Sequence, residues 1–292
     1  MKPPLFHYLS PGDLDEALDL LSQADADIRP IAGGQSLVPM MSLRLAGPAT
    51  LLDLGRIKSL RGIRVTEDGE LIAGAMTRHS DFEYSELVRT SSPLLHAAMP
   101  NIAHMPIRNR GTIGGSLAHA DPAGDWPALC VACNAQLVLS KRGAERTVPA
   151  DEFGCGIFST VLEADELLTQ ICFPSWPQNR RWGLQKMTRR RGDFAIAGIV
   201  ALLDLSPDGL VEWARIVVFG ATDMPTVLHK AAAQLVGRSP DSGIIKEAAE
   251  AVANGVEVRS DLHASAEYRH QLVRVLTQRA LEQALPEVKR YS

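Results

Sequence analysis

Two short glycine segments hold the residue types best suited to chemistry in this 292-residue chain. The first reads Ile31-Ala32-Gly33-Gly34-Gln35-Ser36-Leu37, and the second Arg110-Gly111-Thr112-Ile113-Gly114-Gly115-Ser116-Leu117. Adjacent glycines let backbone N–H groups approach a ligand with no Cβ in the way, and a neighbouring Ser or Thr adds a hydroxyl. Successive amides in such a turn form an anion-binding concavity. One segment can cradle one phosphate, and two can hold a pyrophosphate from both sides, which points to a dinucleotide. Taken singly, each segment is more simply a tight turn. The shared pattern, set between apolar runs in both places, favours a common ligand. Neither segment is a G-x-G-x-x-G fingerprint or a Walker loop with Gly-Lys-Ser/Thr. Neither Ser36 nor Ser116 has the G-x-S-x-G context of a hydrolase nucleophile.

Polar residues crowd the stretch after the second segment. Asp121 and Asp125 could accept from sugar or ribityl hydroxyls, while Asp125, just before Trp126-Pro127, could equally cap a helix. His119 with Asp121 is too small a set for a metal site. Arg108 and Arg110 could neutralise phosphate, although exposed arginines are more often solvated or paired with carboxylates. Cys130 and Cys133 have C-x-x-C spacing but lie in an apolar run with no second pair, so they read as packing residues rather than metal or cluster ligands. With only Cys155 and Cys172 besides, there is no disulfide framework, as suits a reducing cytoplasm.

Composition narrows the class further. The chain is 46% hydrophobic and 22% charged with a net charge of −4, an ordinary balance for a soluble globular protein and one with no basic field for nucleic acid. Arg189-Arg190-Arg191 is a local exception, read as a solvated face or docking patch. No apolar run reaches membrane-span length, and Met1-Lys2-Pro3-Pro4-Leu5 lacks the features of a signal peptide.

The elements that must carry the glycine segments follow from periodicity. Ser10-Pro11-Gly12-Asp13 predicts a helix start with Ser10 as cap, and Leu14, Ala17, Leu18 and Leu21 follow at helical spacing. Strands are expected at 28–32 and 50–54, giving a small βαβ-type unit with the first glycine segment at a strand end, a usual ligand position. Further strands are expected at 71–74, 135–139 and 167–173, and helices from Ser80 to Val88, from Ser92-Pro93 to about Ile102, and from Trp126. Pro174-Ser175-Trp176-Pro177-Gln178-Asn179 is the expected domain boundary. Beyond it, strands at 194–205 and 211–219 flank the turn Ser206-Pro207-Asp208-Gly209, and helices follow around 227–236, 243–254 and 266–285. In the last helix Tyr268, Leu272, Val275 and Leu276 form the expected apolar stripe. The class is α+β, with domains at 1–176 (subdomains about 1–57 and 58–176) and 177–292.

Longer motifs carry a family resemblance. Ala32 to Leu45 (AGGQSLVPMMSLRL) with Leu51 to Ile57 (LLDLGRI) resembles the first flavin-binding segment of molybdenum-hydroxylase flavin subunits, and Arg108 to Ala128 (RNRGTIGGSLAHADPAGDWPA) the second. The likeness is to the medium subunits of aerobic carbon-monoxide dehydrogenase-type enzymes, with a related domain in xanthine dehydrogenase. It continues through Asp165 to Pro174, Arg190 to Gly198 and Ser260 to Leu272 (SDLHASAEYRHQL).

This resemblance implies an FAD-binding domain of the vanillyl-alcohol-oxidase (PCMH) type followed by a smaller α+β CO dehydrogenase flavoprotein C-terminal domain. FAD would lie between the halves of the first domain, with the second domain near the isoalloxazine. By the same likeness Ala32, Gly33, Gly34, Gln35, Ser36 and Leu37, with Thr112, Ile113, Gly114, Gly115 and Ser116, hold the pyrophosphate. Asp125 contacts the cofactor, Leu168 neighbours the ring, and Lys186 lies near the flavin. Phe194 stands where some relatives place a tyrosine, and a phenylalanine packs there without a hydrogen bond to give.

The implied activity is electron transfer. Electrons come from 2Fe–2S clusters in a small subunit, fed by a molybdenum cofactor in a large subunit, and leave to an external acceptor. The partners would assemble as a dimer of heterotrimers in the cytoplasm or at the inner face of the membrane. This chain itself would carry no metal and no acid–base pair. Two other readings stay open: a self-sufficient FAD-dependent alcohol oxidase of the same fold, and a non-catalytic scaffold.

Overall fold

A computed structural model describes residues 2–23 and 27–285. The chain divides into two compact units. The first comprises residues 1–120, 135–155 and 159–174, and the second residues 121–134, 156–158 and 175–292. Residues 121–134 precede the expected boundary near 176 yet pack with the C-terminal segment, because the apolar helix Asp125–Ala132 lies against the strands Ala197–Leu205 and Val211–Phe219. The stretch 174–177 carries neither helix nor strand.

In the first unit, His7–Leu9, Thr50–Asp53 and Ile28–Ile31 form a three-stranded parallel sheet with Thr50–Asp53 in the centre. The helix Leu14–Leu21 buries Ala17, Leu18 and Leu21 against Leu52, Leu54, Ile57 and Leu60. Its cap is Asp13, not the expected Ser10: the Asp13 carboxylate accepts from the Glu16 amide at 2.9 Å. Pro11 and Gly12 therefore lie before the helix instead of opening it. A second, antiparallel sheet runs Ile63–Val65, Leu71–Gly74, Leu167–Phe173, Gln136–Lys141, Ala144–Pro149 in spatial order.

Short helices connect this sheet to the second glycine segment. The expected helix from Ser80 to Val88 is two helices, His79–Glu83 and Glu86–Ser91, because the Ser85 hydroxyl takes the Val88 amide and starts the chain afresh. Pro93–Ala98, Met105–Arg108 and Ile113–His119 follow.

The second unit is an antiparallel sheet in the order Arg180–Met187, Ala197–Leu205, Val211–Phe219, Thr226–Val227. The strand Arg180–Met187 is not marked in the sequence, because its charged, half-buried residues conceal the apolar signal. Ser206–Gly209 makes the expected hairpin, with the Ser206 amide donating to the Leu210 carbonyl at 2.8 Å. The helices Ser242–Asn254 and Ala266–Ala284 complete the core over the sheet. The buried stripe of the last helix is Leu272, Val273, Leu276, Ala280, Leu281 and Ala284, whereas Tyr268 is 46% exposed. One position earlier in the stripe stands a buried arginine, Arg269.

Candidate functional site

The two glycine segments look alike in sequence and fold differently. The strand Ile28–Ile31 delivers Ala32–Ser36 as a turn that leads into the helix Leu37–Ser42. Among the described residues, the N–H groups of Gly33, Gly34, Gln35 and Ser36 meet no protein acceptor. Gly34 has φ +72°, where an L side chain is strained. Gln35 is fixed by its own side chain, whose Nε2 donates to the Gly33 carbonyl at 3.0 Å. Four consecutive free amides in a half-exposed turn form an anion cradle.

In the second segment the amides are spoken for. Gly114 and Gly115 are not in a loop but in the first turn of Ile113–His119. Thr112 caps that helix, its Oγ1 accepting from the Gly115 amide at 3.1 Å. The Ile113 amide donates to Thr77 at 3.0 Å and the Gly114 amide to Ala75 at 2.8 Å. What this segment presents is a wall and the half-buried Ser116.

The fold does bring the two segments together. A Cβ on Gly33 would stand 2.2 Å from the Arg110 carbonyl oxygen and 2.9 Å from the Gly111 Cα. A Cβ on Gly115 would meet the Ala32 Cβ at 3.3 Å and the Thr112 Oγ1 at 2.9 Å. Gly33 is therefore required by backbone packing of one segment on the other before any ligand is considered, whereas Gly115 is crowded only by side-chain atoms of Thr112 and Ala32.

His79, which no motif singled out, holds the second segment from below. Its amide donates to the Gly111 carbonyl at 3.0 Å, and its Nε2 lies 3.3 Å from the Ser116 Oγ. It is 4% exposed, and burial, together with the Arg108 charge, pushes its imidazole down to about 4 against a weaker opposing hydrogen bond to Thr112. Arg108 itself does not face outward for phosphate. It pairs with Glu83 at 2.8 and 3.0 Å and donates to the carbonyls of Ile102 and Ala103. Arg110 is exposed.

A pH dependence follows from His79. Its folded imidazole titrates below its unfolded value, so the native state binds fewer protons between about pH 4 and 6.5. Its contribution is complete above pH 6.5 and is lost as pH falls toward 4, amounting to about 3 kcal/mol. Urea unfolding of the wild type should lose that much more stability over this window than His79→Gln does. Identical pH slopes for the two proteins would show that His79 is not buried in its neutral form.

In the second unit Asp125 and Lys186 meet across 61 residues of sequence. Lys186 Nζ donates to both carboxylate oxygens of Asp125 at 2.9 and 3.0 Å, with the two side chains 10% and 9% exposed for Asp and Lys. Burial raises the Asp125 carboxyl from its ordinary value, and the Lys186 ammonium opposes that push. Asp125 begins the helix Asp125–Ala132 but its carboxylate does not cap it. Asp121 instead makes the local turn, its Oδ1 accepting from the Ala123 amide at 2.9 Å. Phe194, also in the second unit, is 60% exposed, whereas Leu168, in the first, is buried beside a bulge in Leu167–Phe173.

The remaining candidates separate cleanly. Cys130 and Cys133 are buried free thiols, and burial pushes Cys133 up to about 12 and Cys130 well above its ordinary value, so neither is a ready thiolate. Arg189, Arg190 and Arg191 are exposed. Among the described residues no group of three or more His, Cys, Asp or Glu could hold a metal ion, and no helix is long and apolar enough to cross a membrane.

An amide cradle in an α+β unit, followed by a second α+β unit, is an arrangement that suits a protein holding a phosphate-bearing ligand. Residues 4–176 match the FAD-binding domain of molybdopterin dehydrogenases, and residues 182–284 match the CO dehydrogenase flavoprotein C-terminal domain. The chain is 39% identical to the nicotine 6-hydroxylase medium subunit of Paenarthrobacter nicotinovorans, covering 97% of this chain and 99% of that one. It is 38% identical to the carbon monoxide dehydrogenase medium chain of Hydrogenophaga pseudoflava, covering 97% and 98%. Its fold superposes on carbon monoxide dehydrogenase from that organism, in a form lacking the Mo-pyranopterin moiety of the molybdenum cofactor. The TM-score is 0.94 at 38% identity, covering 98% of this chain and 99% of that one. The chain therefore belongs to the FAD-binding medium subunits of the carbon-monoxide dehydrogenase/xanthine dehydrogenase family of molybdenum hydroxylases. Its cofactor is FAD. The residues present fit that group, because the acceptor-free Gly33–Ser36 amides match a phosphate oxyanion.

Proposed function

We propose that this chain is an electron-transfer subunit that takes electrons from 2Fe–2S clusters of a small partner and hands them to an external acceptor. Substrate oxidation then falls to a large molybdenum-cofactor partner, and the three chains assemble as a dimer of heterotrimers. The observation that carries the reading is the run of Gly33 to Ser36 amides without a protein acceptor, suited to a phosphate-bearing cofactor, in a chain similar over its whole length to a carbon monoxide dehydrogenase medium chain.

Residues 32–37 would hold the pyrophosphate through backbone N–H groups. Thr112 to Ser116 would close the cradle, with Ser116 held from behind by His79. In the second unit Lys186 and Asp125, locked together, would offer the flavin a fixed local charge pattern, and Phe194 an apolar face. FAD, when bound, supplies the redox chemistry that joins one-electron cluster carriers to the acceptor. The protein's share is to exclude water, to orient the ring and to tune its potential through fixed dipoles and charges. The substrate is chosen elsewhere, which suits a family whose relatives include chains of enzymes named for nicotine and for carbon monoxide.

The test is reduction of the purified, flavin-loaded chain. We expect it to stay oxidised with small alcohols alone and to be reduced once a 2Fe–2S partner chain and its molybdenum partner are added with their substrate. Direct reduction by an alcohol would establish the oxidase reading instead, and a colourless chain that takes up no FAD would establish a scaffold.

A further inference from the structure

Arg269 lies one turn into the helix Ala266–Ala284 and is 1% exposed. A guanidinium so buried needs acceptors in several directions. Its Nη1 donates to the Ile196 carbonyl at 2.6 Å and to the Gly220 carbonyl, and its Nη2 donates to the Asp261 carboxylate. Asp261 is itself pinned by the amides of His263 at 2.8 Å and Ala264 at 3.1 Å. Both residues fall in the Ser260–Leu272 motif, to which the proposed function gives no task.

The two carbonyls belong to the ends of neighbouring strands. Ile196 stands just before Ala197–Leu205, and Gly220 just after Val211–Phe219. The amides beside them point at the start of the helix that carries Asp125. Ala195 donates to the Ala123 carbonyl at 3.3 Å, and Gly220 to the Pro122 carbonyl at 2.9 Å. The Ile196 amide donates to the Met187 carbonyl at 2.8 Å, next to Lys186. Gly220 permits the approach: its φ is +75°, and a Cβ there would stand 2.7 Å from the Ala195 carbonyl oxygen. One buried guanidinium thus ties together the backbone on which Phe194, Lys186 and Asp125 are mounted.

We propose that Arg269, anchored by Asp261, is a positioning residue that sets Phe194 and the Lys186–Asp125 pair as one rigid group and through them tunes the flavin. The tuning rests on the function proposed above; the bracing does not. A guanidinium suits the task because its planar fork serves two carbonyls and a carboxylate at once, which a lysine ammonium on a flexible stem does less well.

Hydrogen exchange read by mass spectrometry on the full chain tests the brace without reference to any cofactor. Arg269→Met should speed exchange about tenfold in peptides covering residues 121–125 and 192–197. The helix Ser242–Asn254 and the middle of Val211–Phe219 should keep wild-type protection. Arg269→Lys, which retains the charge, should restore part of the lost protection. If Arg269→Met does not fold, Asp261→Asn should give the same local pattern in milder form. Unchanged exchange in both peptides, or an equal rise throughout the unit, overturns the brace. On the flavin-loaded chain the same variants should retain FAD while shifting its visible absorption band and reduction potential; an unchanged band and potential overturns the tuning. A wild-type chain that binds no FAD would instead overturn the proposed function, with the exchange result still deciding the brace.

Discussion

Gly33→Ala should weaken FAD binding by roughly ten- to a hundredfold, the equivalent of about 1–3 kcal/mol of overpacking. The added methyl would fall 2.2 Å from the Arg110 carbonyl oxygen and 2.8 Å from its carbon, both backbone atoms that cannot rotate away. The two segments must part, and the amides of Gly33 to Ser36 lose their alignment. The cause differs from the simplest expectation, in which a side chain at Gly33 would fill space meant for the pyrophosphate. Gly115→Ala should cost less, because its nearest obstacle is the Thr112 hydroxyl, a side-chain atom that can turn aside at the loss of the helix cap. Gly12→Ala is the control, since its Cβ would find only the Glu16 carboxylate, at 3.7 Å. Flavin content after gel filtration and fluorescence titration with FAD measure the order. Stoichiometric flavin in Gly33→Ala would defeat the account of the cradle.

Lys186→Met should destabilise the chain by about 3–5 kcal/mol at neutral pH, because it strands the Asp125 carboxylate in a buried position. Protonation limits the loss. Asp125 already titrates above its ordinary value through burial, and removal of the ammonium raises it further. A carboxyl with a raised folded pKa favours the native state at low pH and loses that advantage as pH rises toward the folded value. The deficit of Lys186→Met should therefore be small near pH 4 and grow to its full size as pH climbs. Adding Asp125→Asn should recover much of it, since the neutral amide leaves no charge to strand. Guanidinium unfolding at several pH values checks both statements. A pH-independent deficit, or no recovery in the double variant, would show that the pair is not the coupled buried unit described.

Much of this architecture is legible before folding because it is local. Periodicity alone yields the strand Val211–Phe219, the hairpin at Ser206–Gly209 and the helix Ser242–Asn254, since each answers to neighbours a few residues away. Where two local rules compete, the reading slips. Ser10 and Asp13 are both good caps, and the Glu16 amide lies within reach of Asp13. In Ala266–Ala284 the stripe includes Arg269, which hydropathy excludes and which two distant carbonyls and the Asp261 carboxylate make tolerable. His79 gives no signal at all, since its partner Ser116 lies 37 residues on and belongs to another helix.

The glycine segments show where the division falls. Their residue types announce close backbone approach and, with the longer motifs around them, a flavin-binding family, because glycine and hydroxyl side chains carry those capacities wherever they stand. Which amides remain free to meet an anion is a different kind of fact. It depends on whether Ala75, Thr77 and Thr112 have already taken them, and in the second segment they have. The Lys186–Asp125 pair has the same character: both residues are visible in the chain, but their 2.9 Å contact exists only once a strand and a helix 61 residues apart have packed together. Hydrogen bonds and ion pairs are settled by distance in space, and chain separation carries little information about that distance until the core has closed.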